Sequence, residues 1–380
     1  MSWLSFLEAV AADRERVGLR RRLRPRAEDD ALVDLAGNDY LGLARHPDVV
    51  AATTAAVKGY GLGATASRLV RGSTDLHARL EQGLAGLLGC EAALVYSSGY
   101  LANVGAVRAV DWPAVASDAH NHASLVDGCR LARGRTIVYG HADPSSLDAA
   151  LSVVGPAGPW PPLVVTESVF SVHGDLAPLR ALHAVARRHG AVLLVDDAHA
   201  VGVLGPSGAG AVVAAGLAGE PDVVVTATLS KALGAAGGVV AGPAALIRHL
   251  VETSRTFIYD TGLAPGVVAG ALAALDLVRT EVGDRARAEL ADRAASACRR
   301  LEAAGLSVAR PAAGVLSVEA PGPDEAVAWA EACRTRGVAV GCFRPPSTPD
   351  GESRLRLTVN VGVPRADFER ALDTILALTP

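Results

Sequence analysis

Of the 36 basic residues in this 380-residue sequence only two are lysines, Lys58 and Lys231, and the rest are arginines. Arginine replaces lysine well on a solvated surface and grips carboxylates better, but its guanidinium keeps its proton and forms no imine. Amine chemistry therefore has two candidates. Lys58 lies in AAVKGYG, where a helix is expected to end and a cation complements the helix dipole. Lys231 lies in DVVVTATLSKALG, just past an apolar run and ahead of Gly234, Gly237 and Gly238. A lone lysine is ordinarily a solvated charge. In a chain that avoids lysine, one beside a strand end in a small-residue loop reads instead as nucleophile and base, its pKa lowered by confinement.

VLLVDDAH places Asp196 directly after four apolar residues, with His199 three further on. An aspartate often merely opens a turn. At the rim of a buried sheet it can also pair with a cationic ring nitrogen and keep that nitrogen protonated. A lysine imine on a protonated pyridine is the working arrangement of pyridoxal 5'-phosphate (PLP), an electron sink for bonds broken at an amino-acid Cα. VYSSGYLANVGAV offers a matching anion site: an apolar run, a turn at Gly99, and a helix opening near Tyr100 whose unpaired N–H groups suit a phosphate. LVVTESVFS brings Glu167 and Ser171 to the same rim, while Thr228 and Ser230 flank Lys231. NHASLVDG carries His122 in a loop before a helix. A lone loop histidine is more often structural, and His122 gains a role by stacking on a flat cofactor. SRLRLTVNVG alternates Arg354, Arg356, Thr358 and Asn360 with Leu355, Leu357, Val359 and Val361. That predicts a half-buried strand whose polar face is either solvated or able to take a carboxylate in bidentate fashion.

For these residues to meet, strand ends must lie side by side. From 46 to 275 short apolar runs (EAALVYSS, PPLVVTES, AVLLVDD, PDVVVTAT, GGVVAG) alternate with helical lengths rich in Ala, Leu and Arg. The pattern predicts an α/β domain with a mostly parallel sheet covered on both faces, and ligands at the carboxyl ends of its strands. Residues 1–45 read as an N-terminal helix, with Leu4, Leu7 and Val10 at helical spacing, followed by a turn-rich arm carrying Arg20, Arg21 and Arg22. Residues 276–380 read as a smaller α+β domain. A net charge of −4 with acids and bases intermixed makes nucleic acid a poor partner. Five cysteines without CxxC spacing suggest a reduced, cytoplasmic protein, and no metal is expected. The start, MSWLSFLEAVAADRER, has early acids and no long apolar core, so a signal peptide is not expected. The uncharged run Ala200 to Gly219 is broken by glycines and reads as close-packed loop, not as a membrane span. No GxxxxGKS and no convincing GxGxxG follows a strand, which leaves nucleotide folds without support.

The ordered set GNDYLGL, RGSTDLHARLE, SSGYLAN, NHASLVDG, VVTESVFS, VDDAH, TLSKALG, FIYDTGLAP and RPPSTPDGESRLRLT resembles the α-oxoamine synthases from the first residues to the last helix. These are fold-type I PLP-dependent transferases, aspartate aminotransferase-like, which condense an amino acid with an acyl thioester and lose CO2. The resemblance implies that Lys231 carries the cofactor imine, Asp196 pairs with the pyridinium nitrogen and His199 binds the ring hydroxyl. His122 would stack on the ring and help position substrate. Gly99 and Tyr100 would hold the phosphate through backbone N–H groups, with Ser171 and Thr228 lining the cofactor. Thr261, in FIYDTG, would reach the phosphate from the partner subunit, which implies a homodimer with its site at the interface. Arg356 would take the amino-acid carboxylate, and Arg20, Asn38 and Ser347 would contact substrate. The MSW start, LRRRLRP and RPPSTPDGESRLRLT are most similar to the branch that serves biotin biosynthesis. That branch joins L-alanine to a pimeloyl thioester on coenzyme A or on acyl carrier protein. The alternatives are a glycine- or serine-using relative and a catalytically silent PLP-binding subunit. After His199 the chain reads Ala-Val-Gly where the family pattern has Gly first, a change expected to affect only packing at Ala200.

Overall fold

A computed structural model describes residues 2–16, 19–154, 159–345 and 347–380; Pro346, inside the RPPSTPDGE motif, lies outside the described residues. In chain order the strands are β1 (Val33–Leu35), β2 (Ala92–Tyr96), β3 (Ala114–Asp118), β4 (Arg135–Tyr139), β5 (Leu163–Glu167), β6 (Val192–Asp196), β7 (Val223–Thr228), β8 (Gly238–Gly242), β9 (Val315–Glu319), β10 (Val338–Phe343) and β11 (Arg354–Thr358). Seven of them form the large sheet, ordered β2-β8-β7-β6-β5-β3-β4. The five strands from β7 to β4 run parallel, and β8 is antiparallel to both its neighbours.

The central strands LVVTE, VLLVD and VVVTAT are nearly continuous β-branched and leucine runs, buried on both faces. Sheets that bury both faces need helices above and below. Helix Leu179–Arg188 shows how one docks: Leu179, Leu182, Val185 and Ala186 are buried, and Arg187 and Arg188 stay at its C-terminal end, where cations complement the dipole. Helix Pro265–Val278 is apolar almost throughout and packs against helices Pro47–Tyr60 and Asp75–Leu88. Lys58 sits in the last turn of Pro47–Tyr60, exposed, as its surroundings in the sequence predict.

The second sheet has the order β1-β10-β11-β9, with β1 parallel to β10 and the other pairs antiparallel. The arm is thus more than turns, because Val33–Leu35 enters the C-terminal sheet as its edge strand. β11 also departs from the half-buried strand predicted for it. All five residues are buried, and Arg354 is only 2% exposed. The polar side of this strand faces protein rather than water. Arg354 pairs with Asp350 at 2.5 Å, and Arg356 donates to Asn38. The N-terminal helix forms over Trp3–Arg16 as its spacing predicts, yet none of its residues is buried within this chain. Ala200 to Gly219 folds into a short 3-10 turn and the four-residue helix Ala211–Ala214. Among the described residues no helix is long and apolar enough to cross a membrane.

Tight backbone packing ties β8 to the start of helix Gly99–Arg108. A Cβ built at Gly238 would come within 2.4 Å of the Ser98 carbonyl oxygen and 2.6 Å of the Gly99 Cα. Gly238→Ala should therefore push that helix start away from the sheet. The expected cost is about 1–3 kcal/mol in urea unfolding, accompanied by weaker PLP binding. An unchanged unfolding midpoint would show that the junction yields freely.

Candidate active site

The sheet sets three polar residues side by side near its rim. β6 lies between β5 and β7, with Glu167 opposite Asp196 and Asp196 opposite Thr226. Both Asp196 oxygens are held: Oδ1 accepts the Ala198 N–H at 3.0 Å, and Oδ2 accepts Asn103 Nδ2 at 2.6 Å. Asn103 comes from helix Gly99–Arg108. Its Oδ1 accepts the Thr226 hydroxyl at 2.5 Å, and its Nδ2 also reaches Ser124 Oγ at 2.8 Å. Ser124 Oγ lies 2.7 Å from Nδ1 of His122, which caps helix Ala123–Leu131. One polar chain thus joins the carboxylate to the histidine ring. His120, two residues away, points elsewhere and stacks on His141 with centroids 3.8 Å apart.

Lys231 follows β7 in a loop closed on both sides. Leu229 N–H donates to the Gly237 carbonyl at 3.0 Å, Ala235 N–H to the Leu229 carbonyl at 2.9 Å, and Gly234 N–H to the Lys231 carbonyl at 2.8 Å. The return depends on Gly237, whose φ of 120° side-chain-bearing residues rarely adopt. Lys231 Nζ lies 2.8 Å from His199 Nε2, and His199 Nδ1 lies 2.6 Å from the hydroxyl of the buried Tyr40. Burial lowers the lysine pKa to about 8, with Arg356 adding to the fall and Asp196 and Glu167 opposing it. Burial likewise holds His199 well below the usual histidine range, helped by the Lys231 and Arg356 charges, so the ring is neutral. Glu167 is pushed up, first by burial and then by the neighbouring Asp196 charge.

Arg356 reaches this cluster from the small sheet. Its NH2 donates to Asn38 Oδ1 at 2.5 Å, and its charge is felt at Tyr40, Lys231, His199 and His122. Arg356 is buried, and its Nε has no partner among the described residues. A buried guanidinium with unused donors is suited to a carboxylate. Ser171 N–H donates to Glu167 Oε2 at 3.0 Å, and Thr228 Oγ1 lies 2.7 Å from Ser230 Oγ and donates to the Gly237 carbonyl at 2.9 Å. Lys231, His199, Asp196, His122, Thr228, Ser171, Asn38 and Arg356 are therefore gathered at one rim of the sheet.

Three other predicted residues lie apart from that rim in this chain. Arg20 is exposed and pairs with Glu15 at 2.6 Å. It shares a cavity of about 830 Å³ with Ser347, Arg21 and Arg344. Thr261 is exposed and bridges to Ser67.

A flat pyridine with an anionic tail suits the assembled groups. Asp196 is fixed at a strand end by two donors, as a partner for a ring N–H must be. Helix Gly99–Arg108 starts beside it, with Ser98 Oγ accepting the Leu101 N–H at 3.1 Å and thereby fixing the first turn. A Cβ at Gly99 would stand 3.1 Å from the Thr228 Cβ, so glycine keeps the helix start close to the lysine strand and its N–H groups approachable. Two participants were missed by sequence reasoning. Tyr40 sits in an arm with no periodic pattern, and Asn103 lies inside a helix whose neighbours are apolar. For Asn103, an unpaired amide amid small apolar residues was a signal that could have been read.

A family model described as aminotransferase class I and II matches residues 30–375. The chain belongs to this family. Within it, the 8-amino-7-oxononanoate synthase of Mycolicibacterium smegmatis (strain ATCC 700084 / mc(2)155) is 52% identical over 374 residues, covering 98% of this chain and 95% of the relative. Among solved structures, a serine palmitoyltransferase from S. paucimobilis with bound PLP and myriocin superposes with a TM-score of 0.91 at 28% identity, covering 100% of this chain and 98% of that one. An 8-amino-7-oxononanoate synthase from Francisella tularensis superposes at 0.77 with 25% identity, covering 92% and 98%. This class I and II aminotransferase relative falls in the α-oxoamine synthase branch and has the fold-type I architecture.

Proposed function

We propose that the protein is a PLP-dependent C-acyltransferase that condenses L-alanine with a pimeloyl thioester to 8-amino-7-oxononanoate, releasing CO2 and the thiol carrier. The observation that carries this reading is the placement of Lys231, His199 and Asp196 at adjoining strand ends, in a chain half identical to 8-amino-7-oxononanoate synthases along nearly its whole length. PLP, when bound, supplies the electron sink for the bonds broken at the amino-acid Cα.

The chain's own residues bind, orient and move protons. Lys231 would hold the cofactor covalently, and its neutral amine, when free, would take the Cα proton. Asp196, a fixed anion, would pair with the ring nitrogen and keep it protonated, a preorganised charge that costs no rearrangement during the reaction. His122 would cover the ring, His199 would donate to the ring oxygen, and Ser171 and Thr228 would line the site. Gly99 and Tyr100 would give backbone N–H groups to the phosphate, and in a homodimer Thr261 of the partner subunit would join them. The surface position of Thr261 in this chain is consistent with service to a second copy. Arg356, steadied by Asn38, takes the alanine carboxylate, and Arg20 and Ser347 contact the acyl substrate from their arginine-lined cleft, on coenzyme A or on acyl carrier protein. All five cysteines are unpaired, as a reducing cytoplasm keeps them.

Purified protein supplied with PLP, L-alanine and pimeloyl-CoA should release 8-amino-7-oxononanoate and CO2, read by mass spectrometry. Pimeloyl-acyl carrier protein, glycine and serine form the comparison arms. Turnover with glycine or serine but not alanine would overturn the substrate assignment, and absence of turnover with every pair would overturn the reaction.

The lysine environment gives a pH prediction. Only a neutral amine attacks the cofactor aldehyde, so PLP uptake by cofactor-free protein should accelerate as pH rises through about 8, rather than through the ordinary lysine value of 10.5. Stopped-flow absorbance measures it; an acceleration centred near the ordinary value would contradict the burial argument.

A further inference from the structure

We infer that Tyr40 is a positioning residue that fixes the tautomer of His199 and so keeps the Nε2 proton aimed at the cofactor ring oxygen. The inference rests on the PLP reading above and adds a residue to it.

The direction of the hydrogen bonds decides the matter. A neutral imidazole carries one proton on one of two nitrogens, and the partner of each nitrogen selects which. His199 Nδ1 faces Tyr40 Oη at 2.6 Å, and Nε2 faces Lys231 Nζ at 2.8 Å. Tyr40 is fully buried, and burial raises its phenol to about 12 against the nearby Arg356 charge, so the hydroxyl keeps its proton. It has two possible acceptors. Asn38 Oδ1 is distant at 3.4 Å and already receives Arg356 NH2 at 2.5 Å. Arg356, the cation beside the phenol oxygen, can only donate. The Tyr40 proton therefore goes to Nδ1, and once Lys231 is joined to the cofactor, and is no longer an ammonium donating to Nε2, the single imidazole proton is left on Nε2.

The groups facing His199 and Lys231 are Asp196, Glu167, Arg356 and His122, together with Tyr40. Of these five, only Tyr40 occupies His199 Nδ1. Without the phenol the imidazole is free to carry its proton on Nδ1 and turn a lone pair toward the ring oxygen. A donor to that oxygen stabilises its negative charge and loosens its hold on the neighbouring imine proton, and loss of the donor tightens that hold.

The test is the pH midpoint of the visible band of the Lys231-bound cofactor, which a merely space-filling tyrosine would not move. Tyr40→Phe should still bind PLP, and its midpoint should rise by about one pH unit. In a His199→Ala background the same substitution should add almost nothing, since Tyr40 acts through the imidazole. A Phe variant that binds PLP with an unmoved midpoint, or one whose shift is equal in both backgrounds, would overturn the inference. Incorporating 3-fluorotyrosine at position 40 keeps the packing even if Phe does not fold. Its more acidic phenol should lower the midpoint, and an unmoved or raised one counts against us. No visible band in any of these proteins, the unsubstituted one included, would instead remove the PLP reading itself.

Discussion

Lys231→Ala should abolish turnover, by roughly 10^4-fold or more, while leaving the protein folded. In the proposed reaction the amine both holds the cofactor and moves the Cα proton, and among the described residues no side chain beside it can replace it. His199 Nε2 lies 2.8 Å away, and in the inferred tautomer it already carries the proton it would have to gain. Lys58 is exposed in the last turn of a helix, and the other basic side chains are arginines that hold their protons. Asp196 and the start of helix Gly99–Arg108 remain in place, so the variant should still bind PLP, with an altered absorption band. Product assay and absorbance decide the point together, with Lys58→Ala as the control of near-normal activity. Substantial turnover by Lys231→Ala would refute the assignment of the reacting amine.

The second large effect is expected at Asp196→Asn, a loss of roughly 10^3-fold in turnover with a smaller loss of PLP affinity. Charge is one reason, since a neutral amide does not keep a ring nitrogen protonated. Hydrogen bonding is the other. Both Asp196 oxygens already accept from fixed donors, Ala198 N–H and Asn103 Nδ2. An asparagine must turn its NH2 toward one of them, setting donor against donor in a buried place. Reversing the pair separates the two causes: Asn103→Asp in the Asp196→Asn background restores a donor–acceptor match but not the charge at the ring. Recovery of turnover in that double variant would mean that hydrogen bonding rather than charge carries the effect.

Much of this site was legible because strands broadcast their ends. In VLLVDD and VVVTATLSK the first polar residue after an unbroken apolar run is where a buried parallel strand reaches the rim, so Asp196 and Lys231 could be placed before any fold was known. Scarcity of lysine then selected Lys231. Arg356 was legible only in part, because alternation in SRLRLT distinguishes two faces but does not say what covers the polar one. The answer came from Asn38 and Tyr40, more than 300 positions away for Asn38. Tyr40 itself was illegible for the same reason: GNDYLGL has no period, and its hydroxyl meets His199 only after the arm has crossed to the large sheet. Residues whose partners are distant in the chain leave no local pattern. Arg20, Ser347 and Thr261 were named through family resemblance, and they lie away from the lysine rim of this chain.

The threading of the site through the chain bears on how the protein is made. Contacts within the large sheet are closed by the time β8 has been synthesised, and Lys231 meets His199 across only 32 positions. Arg356 meets Asn38 across 318. Chain-entropy cost grows slowly with such lengths, but non-local pairing governs folding rate, and N-terminal regions fold first during synthesis. On the proposed assignment, a nascent chain on the ribosome would own its reacting amine and the carboxylate neighbour well before β11 delivers the guanidinium proposed to take the substrate carboxylate. Competence to capture an aldehyde precedes competence to discriminate, and the last strand of the small sheet closes that interval.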